Sequence, residues 1–209
     1  GAQLSVLYGQ PIYLFGMLLC VFCLPELVGT CIHQFSMFEM PADKLASGVK
    51  GVVACRFALY DRSFCFVNCH FHADTHNSEE GAKRDFVERV QQVQLCYNRV
   101  EFRLSDQCLY PIWAHRAVFL MGDTNMRLAR PERFDTQPSF HQHVLETLKT
   151  KQFQHLQRYD QLTMMLTSPD LVLGDSPFNA TSPECRPQGT SFREPVLCET
   201  DGPPFLPTY

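Results

Sequence analysis

Apolar and polar positions along the chain predict strands in its first third, a helix next, and a further strand near the middle. Residues 10–23 carry branched and aromatic side chains suited to one long strand, which Pro25 ends. Residues 26–47 show no clean period and predict strand ends and loop. GVVACRFAL over Gly51–Leu59 and SFCFVNCH over 63–70 predict two more strands, and the short connection Tyr60, Asp61, Arg62 predicts that they form an antiparallel hairpin. In the second of them Phe64, Phe66, Asn68 and His70 share one face, because side chains alternate along a strand. Its polar pair lies at the C-terminal end.

Asn77 and Glu80 have the offset of a capping box, and Phe86, Val90, Val93, Tyr97 and Val100 then recur at steps of four and three. That spacing predicts an amphipathic helix on a core, with Lys83, Arg84, Asp85, Glu88 and Arg89 as its solvated face. Residues 117–121 are apolar without a break and stop at Gly122, the pattern of a strand buried on both faces. Residues 128–138 predict polar loop. Helical spacing resumes through Phe140, Val144, Leu145 and Leu148, and again through Phe153, Leu156, Tyr159 and Leu162. From 168 to 207 the chain is proline-rich and aperiodic, which predicts an insertion or a functional loop. Strands, a covering helix and a further strand describe an α/β layered domain.

Composition narrows the function classes. With 209 residues, 45% of them hydrophobic, the chain can bury a sizeable core. A net charge of −4 gives no bulk attraction to a nucleic-acid backbone, and no nucleic-acid partner is expected. Of the ten cysteines, Cys20, Cys55, Cys65, Cys69 and Cys96 sit in apolar or alternating segments, where a reduced thiol acts as a small hydrophobe. This suits a reducing compartment, so a cytoplasmic location is expected. The Cys20-x-x-Cys23 pair has no partner pair at zinc-ribbon spacing. The apolar run 12–24 is too short to span a bilayer and lacks the charged flank of a signal peptide, and the Asn179-Ala-Thr181 sequon is discounted on the cysteine usage.

Candidate chemistry gathers where the strands end. Asn68 and His70 close one strand, and Asp123, Asn125 and Arg127 follow another at steps of two that would face one pocket if the backbone stayed extended. A Gly-Asp pair is also an ordinary turn, whose Asx side chain bonds its own backbone. If the two strands are neighbours, a carboxylate, two amides, an imidazole and a guanidinium converge. Such a set suits phosphate ester hydrolysis, in which a carboxylate orients or deprotonates water, N–H donors hold oxygens where charge develops, and a metal ion polarises phosphorus. A transition-metal site on His70, His72 and His76 is a separate candidate, with positions 70 and 72 placed on one strand face.

The motifs resemble those of a known family. Asn68-Cys-His70 resembles the Asn-Ser-His-Leu motif of the inositol polyphosphate 5-phosphatases, within the endonuclease/exonuclease/phosphatase superfamily, and Gly122-Asp-Thr-Asn-Met-Arg127 resembles their Gly-Asp-Leu-Asn-Tyr-Arg. In the same order, Ile12-Tyr-Leu-Phe-Gly-Met-Leu-Leu resembles an early core strand, and Val49-Lys-Gly-Val-Val-Ala-Cys-Arg-Phe57 resembles Gly-Asn-Lys-Gly-Gly-Val-Ala-x-Arg-Phe. Tyr159-Asp-Gln-Leu162 and Phe205-Leu-Pro-Thr-Tyr209 resemble later motifs. The resemblance implies a layered β-sandwich flanked by helices, incomplete at both ends. It implies that 1–167 is the central part of a phosphatase catalytic domain, 168–204 an insertion or loop, and 205–209 the start of the next core strand.

Carried over by position, the resemblance implies that His70 hydrogen-bonds the scissile phosphate, Asp123 orients or activates water, and Asn125 stabilises the pentavalent phosphorus. It implies that Asn68 supports this shell, that Tyr209 lies against the neighbouring ring phosphate, and that Arg127 and Lys50 support the anionic site. It implies an inositol phosphate or phosphoinositide substrate, contact with a membrane surface when that substrate is a lipid, and Mg2+ in the complete domain. Val49 replaces the family's Asn, Val52 its second Gly and Met126 its Tyr, and Val49 and Val52 together are expected to stiffen the turn beside Lys50. The family's metal-binding Glu and its later Asp and His motifs have no match here, so this chain alone is expected to be inactive. Two alternatives stay open: a catalytically dead phosphoinositide-binding or scaffold module, and a Mg-dependent nuclease of the same superfamily.

Overall fold

The computed structural model describes residues 5–6, 11–14, 16–42, 49–73, 78–105, 107–131, 133–134 and 136–167. They fall into two compact units, divided between Asn125 and Met126.

In the first unit, β1 (Ser5–Val6) pairs antiparallel with β4 (Phe22–Cys23), and β2 (Ile12–Leu14), β3 (Met17–Leu19) and β4 stand where the pattern predicts one long strand. Gly16 is the reason: at φ +82° it reverses the chain at no Cβ penalty, and β2 and β3 become an antiparallel hairpin. The fold-back places Ile12 and Met17 in one cluster with Val53 and Cys55. β5 (Ile32–Pro41) lies in the stretch expected to hold only strand ends and loop. Its register shifts between His33 and Ser36, and Gln34 takes φ +55°, so the two-residue alternation that would reveal a strand is broken.

The expected hairpin is present as β6 (Gly51–Leu59) and β7 (Arg62–His70), turned through Tyr60 at φ +54°. A parallel partner for β7 requires a crossover. This is supplied by α1 (Glu79–Arg99), β8 (Glu101–Arg103) and β9 (Leu109–Pro111), after which β10 (Ala117–Asp123) pairs parallel with β7. The sheet order is β10-β7-β6-β5. As the last strand in that order, β10 is not buried on both faces: Phe119 is 46% and Met121 40% exposed. Phe119 still stacks on Phe66, 4.8 Å between ring centroids.

One sheet face, carrying Val53, Cys55 and Phe66, packs on the β2–β3 hairpin. The opposite face, carrying Val52, Ala54, Arg56, Cys65, Val67 and Cys69, is buried throughout. Val52 therefore does not stiffen a turn. It is a core strand residue, and the position that demands glycine is Gly51, where a Cβ would lie 2.3 Å from the Met40 carbonyl oxygen.

Helix α1 is capped by Ser78, whose Oγ accepts from Gly81 N at 3.1 Å, while Asn77 lies outside the described residues. Asp85 and Arg89, expected on its solvated face, are buried at 1% and 0% exposure. They share an inward stripe with Gln92, Val93 and Cys96, and Asp85 is satisfied there by His72.

The second unit holds α2 (Gln137–Lys149), α3 (Gln154–Gln157) and α4 (Gln161–Thr167). Thr136 caps α2 by accepting from Ser139 N, and Phe140 and Val144 cluster with Leu156 and Tyr159. The predicted helical patch over 153–162 is divided between α3 and α4. The sequon at Asn179, the proline-rich stretch and the boundaries expected at 168–204 and 205–209 lie outside the described residues. Among the described residues no helix is long and apolar enough to cross a membrane.

Candidate active site

Register brings the first candidate residues together. Asp123 on β10 pairs with His70 on β7, and His70 pairs with Gly51 on β6, so one rung crosses three strands at one end of the sheet. Lys50 immediately precedes the rung. Asp123 Oδ2 lies 3.9 Å from His70 Nε2, and Lys50 Nζ lies 2.5 Å from the same nitrogen. With Lys50 as an ammonium, His70 Nε2 is the acceptor of that bond. Burial lowers the Lys50 pKa from its ordinary value, and the Asp123 carboxylate opposes that shift. The three side chains form a partly exposed cluster in which His70 lies between the Lys50 ammonium and the Asp123 carboxylate.

Gly122 allows the rung to close. It sits at φ +109°, and a Cβ there would meet the Cys69 carbonyl oxygen at 2.2 Å and Asn68 Oδ1 at 2.5 Å. Past Asp123 the backbone leaves the extended form. Asn125 takes φ +53°, and its N–H donates to Asp123 Oδ1 at 2.9 Å. Positions 123, 125 and 127 thus do not face one pocket along an extended strand. The ordinary Asx turn and the shared rung are both present, with one carboxylate oxygen in the turn and the other toward His70.

The remaining candidates have separate partners. Asn125 is buried, and its Nδ2 donates to the Phe71 carbonyl at 3.0 Å, tying the turn to the residue after His70. Asn68 Nδ2 donates to the Leu18 carbonyl at 3.0 Å, which holds the β2–β3 hairpin over the sheet. Arg127 belongs to the second unit, where its N–H donates to Gln161 Oε1 at 3.0 Å and its carbonyl accepts from Gln161 N at 2.9 Å. Tyr209 lies outside the described residues.

Sequence reasoning missed the layer behind the rung. His72 lies beyond the end of β7 and shares no strand face with His70; its Nε2 is 3.0 Å from Asp85 Oδ1 and 3.6 Å from Glu88 Oε2. Its backbone N–H donates to Gln92 Oε1 at 2.6 Å. The overlooked signal was Asp85, Arg89 and Gln92 in helical phase with Val93 and Cys96. His76 lies outside the described residues, and among those described no group of three or more His, Cys, Asp or Glu is placed to hold a metal ion. At the rung itself one carboxylate faces an ammonium, a donor set that does not fit Mg2+ by itself. Buried Cys55, Cys65 and Cys69 are free thiols pushed by burial up to about 12, which makes them inert core residues.

Comparison with known proteins adds the following. The sequence model described as Endonuclease/Exonuclease/phosphatase family 2 matches residues 13–171. The type II inositol 1,4,5-trisphosphate 5-phosphatase of Mus musculus is 27% identical over 150 residues, which cover 68% of this chain and 14% of that protein. The inositol polyphosphate 5-phosphatase domain of SPsynaptojanin, crystallised with inositol (1,4)-bisphosphate and a calcium ion, superposes with a TM-score of 0.56 at 23% identity. That match covers 78% of this chain and 40% of the other. The mixed α/β architecture, a central sheet with flanking helices, is the endonuclease/exonuclease/phosphatase-like fold. The chain spans well under half the length of both relatives.

Proposed function

Because the chain belongs to the Endonuclease/Exonuclease/phosphatase family 2, we propose that this protein is a phosphoric monoester hydrolase that removes the 5-phosphate from inositol phosphates or phosphoinositides. The observation that carries the reading is the rung in which Lys50, His70 and Asp123 meet at one sheet end. The family and the two 5-phosphatase relatives support the substrate class.

In this reading an incoming phosphate takes the Lys50 ammonium from His70, the freed ring shifts its N–H to Nε2, and both side chains donate to phosphoryl oxygens where charge develops. Asp123 Oδ2 orients a water and accepts its proton; the water oxygen bonds to phosphorus as the bond to the inositol oxygen breaks, and that oxygen leaves as a hydroxyl by taking a proton from bulk water, to which Asp123 then returns the one it accepted. Asn125 fixes the Asp123 turn to the Phe71 carbonyl, which keeps Oδ1 in the turn and leaves Oδ2 toward His70. Asn68 supports the rung from the β3 side. The family resemblance also assigns substrate-binding roles to Arg127 and Tyr209. The Mg2+ expected in the complete domain needs donors beyond those described, and no step here passes through it. Cytoplasm, with its membrane surfaces where the substrate is a lipid, is the location this reading proposes.

The test is phosphate release by the full-length protein from inositol 1,4,5-trisphosphate and from a phosphoinositide vesicle, with single-stranded DNA as the competing substrate. Release from either inositol substrate, lost in Asp123→Asn, supports the reading. Cleavage of DNA alone favours the nuclease, and binding without turnover favours the scaffold module. Running the same assay on these 209 residues tests the expectation that they are inactive alone.

A further inference from the structure

We propose that Gln92 is a positioning residue that sets the spacing between Lys50 and His70 by acting as a side-chain rung beyond the end of the sheet. Its kinetic consequence rests on the hydrolase reading above; its structural consequence does not.

The β6–β7 ladder ends at the Gly51–His70 pair, and the β5–β6 ladder ends at Pro41–Gly51. Past those pairs the strands lose their regular partners, yet Lys50 and the segment after His70 must stay in register for the cluster to exist. Gln92, 6% exposed on the inward stripe of α1, bridges the gap. Its Oε1 accepts from His72 N at 2.6 Å, and its Nε2 donates to the Ala42 carbonyl at 3.0 Å. Ala42 in turn donates its N–H to the Lys50 carbonyl at 2.8 Å. One carboxamide thus reaches the backbone two residues after His70 and, through Ala42, the backbone of Lys50.

The chemistry favours an amide at this position. A buried side chain that must present a donor to one backbone and an acceptor to another, without burying charge, is best served by a carboxamide. The same helix adds a second hold: Asp85, seven residues earlier and so on the same face, bonds the His72 ring at 3.0 Å. Phe71 between the two histidines is fixed from the other side, donating to the Asp123 carbonyl at 2.9 Å and accepting from Asn125 Nδ2. The segment carrying His70 is held between α1 and β10, and the Gln92 arm extends that hold through Ala42 to the backbone of Lys50.

Two variants of the full-length protein separate positioning from simple burial. Gln92→Leu removes both bonds. Gln92→Glu keeps the acceptor for His72 at any pH, and keeps a donor for Ala42 only while its carboxyl is protonated. Deuterium uptake of peptides covering Ala42 and His72, relative to wild type at the same pH, is expected to quicken at both places in Gln92→Leu. In Gln92→Glu it is expected to stay slow at His72 and to quicken at Ala42 as the pH rises. In turnover, Gln92→Leu is expected to lower kcat about tenfold and raise KM, as a misplaced catalytic group does. Gln92→Glu is expected to raise KM at alkaline pH with kcat held. A folded Gln92→Leu protein with wild-type uptake at both peptides, or with wild-type kcat and KM, overturns the proposal. If Gln92→Leu does not fold, wild-type Ala42 uptake in Gln92→Glu at alkaline pH overturns it instead. Should the wild type release no phosphate from any inositol substrate, the hydrolase reading falls, and the uptake pattern still decides the role of Gln92.

Discussion

Asp123 and His70 face each other across one rung of the parallel β7–β10 pair, with Asp123 Oδ2 3.9 Å from His70 Nε2 and Asp123 Oδ1 held by the N–H of Asn125 at 2.9 Å. The two oxygens have different duties, so chemistry and turn structure are separable. Asn at 123 keeps an acceptor for Asn125 and loses the base. In the full-length protein Asp123→Asn is expected to lower kcat by roughly 10² to 10⁴, the usual worth of a positioned acid or base, with unfolding free energy within about 1 kcal/mol of wild type. Steady-state phosphate release and urea denaturation measure the two quantities. A loss of activity that tracks a loss of stability would assign Asp123 to the turn alone.

Gly122 is where the rung depends on a missing side chain. An added methyl would lie 2.2 Å from the Cys69 carbonyl oxygen, which belongs to the neighbouring strand, and φ +109° is strained for any other residue. Gly122→Ala is therefore expected to destabilise the first unit by roughly 2 to 4 kcal/mol, combining backbone strain with a forced separation of β10 from β7. Equilibrium denaturation would read this as a lower midpoint, and wild-type stability would refute the close approach.

Much of this arrangement was legible in the residues. The β6–β7 hairpin follows from two alternating segments across a short turn, and the convergence of His70 with Asp123 follows from polar residues placed at strand ends. What was not legible is the work of residues that depart from a period. Gly16 turned one apparent strand into a hairpin, and the bulge between His33 and Ser36 hid β5. Asp85 and Arg89 looked like part of a solvated face, and Gln92 went unremarked, because charge and polarity usually mean water, and a sequence does not show that His72 and Ala42 wait behind the helix with complementary groups. Asn125 shows the same limit at the site: its spacing from Asp123 suggested a shared pocket, and only the left-handed backbone reveals that it serves the turn.

A pH dependence of stability follows from the opposite side of the sheet. Buried His115 accepts from Arg56 Nε at 3.2 Å through Nε2, and its Nδ1 donates to the Ile112 carbonyl at 3.0 Å, so the fold requires the neutral ring. Burial first, and Arg56 in addition, lower its pKa below the ordinary 6.5, with the Ile112 bond opposing. With the folded pKa depressed, the unfolded chain takes up the proton first; the stabilisation is complete above pH 6.5 and is lost as the pH falls from there through the folded value. Thermal unfolding of wild type should weaken over that window. His115→Gln, which keeps an acceptor for Arg56 and cannot titrate, should show a shallower fall, and identical slopes would sink the assignment.

Gln161 offers a test confined to the second unit. It is 6% exposed, and it grips Arg127 from both sides, its Oε1 accepting from Arg127 N at 3.0 Å and its own N–H donating to the Arg127 carbonyl at 2.9 Å. Asp160 beside it starts α4 by accepting from Thr163 N at 2.8 Å and Thr163 Oγ1 at 2.7 Å, so the pair anchors the chain after Met126 to a helix N-terminus. Replacing Gln161 by Met keeps the volume and removes the acceptor, leaving the Arg127 N–H to lose a buried bond worth roughly 1 to 3 kcal/mol. Denaturation of Gln161→Met should show that loss. Gln161→Glu, which keeps the acceptor, should recover most of it, and the difference between the two isolates the bond from the packing. If Arg127 binds substrate phosphate, Gln161→Met should also raise KM several-fold while kcat changes little, because a loosened cation weakens binding before it touches the chemistry. An unchanged KM alongside the stability loss would leave Arg127 a structural residue and remove it from the anionic site.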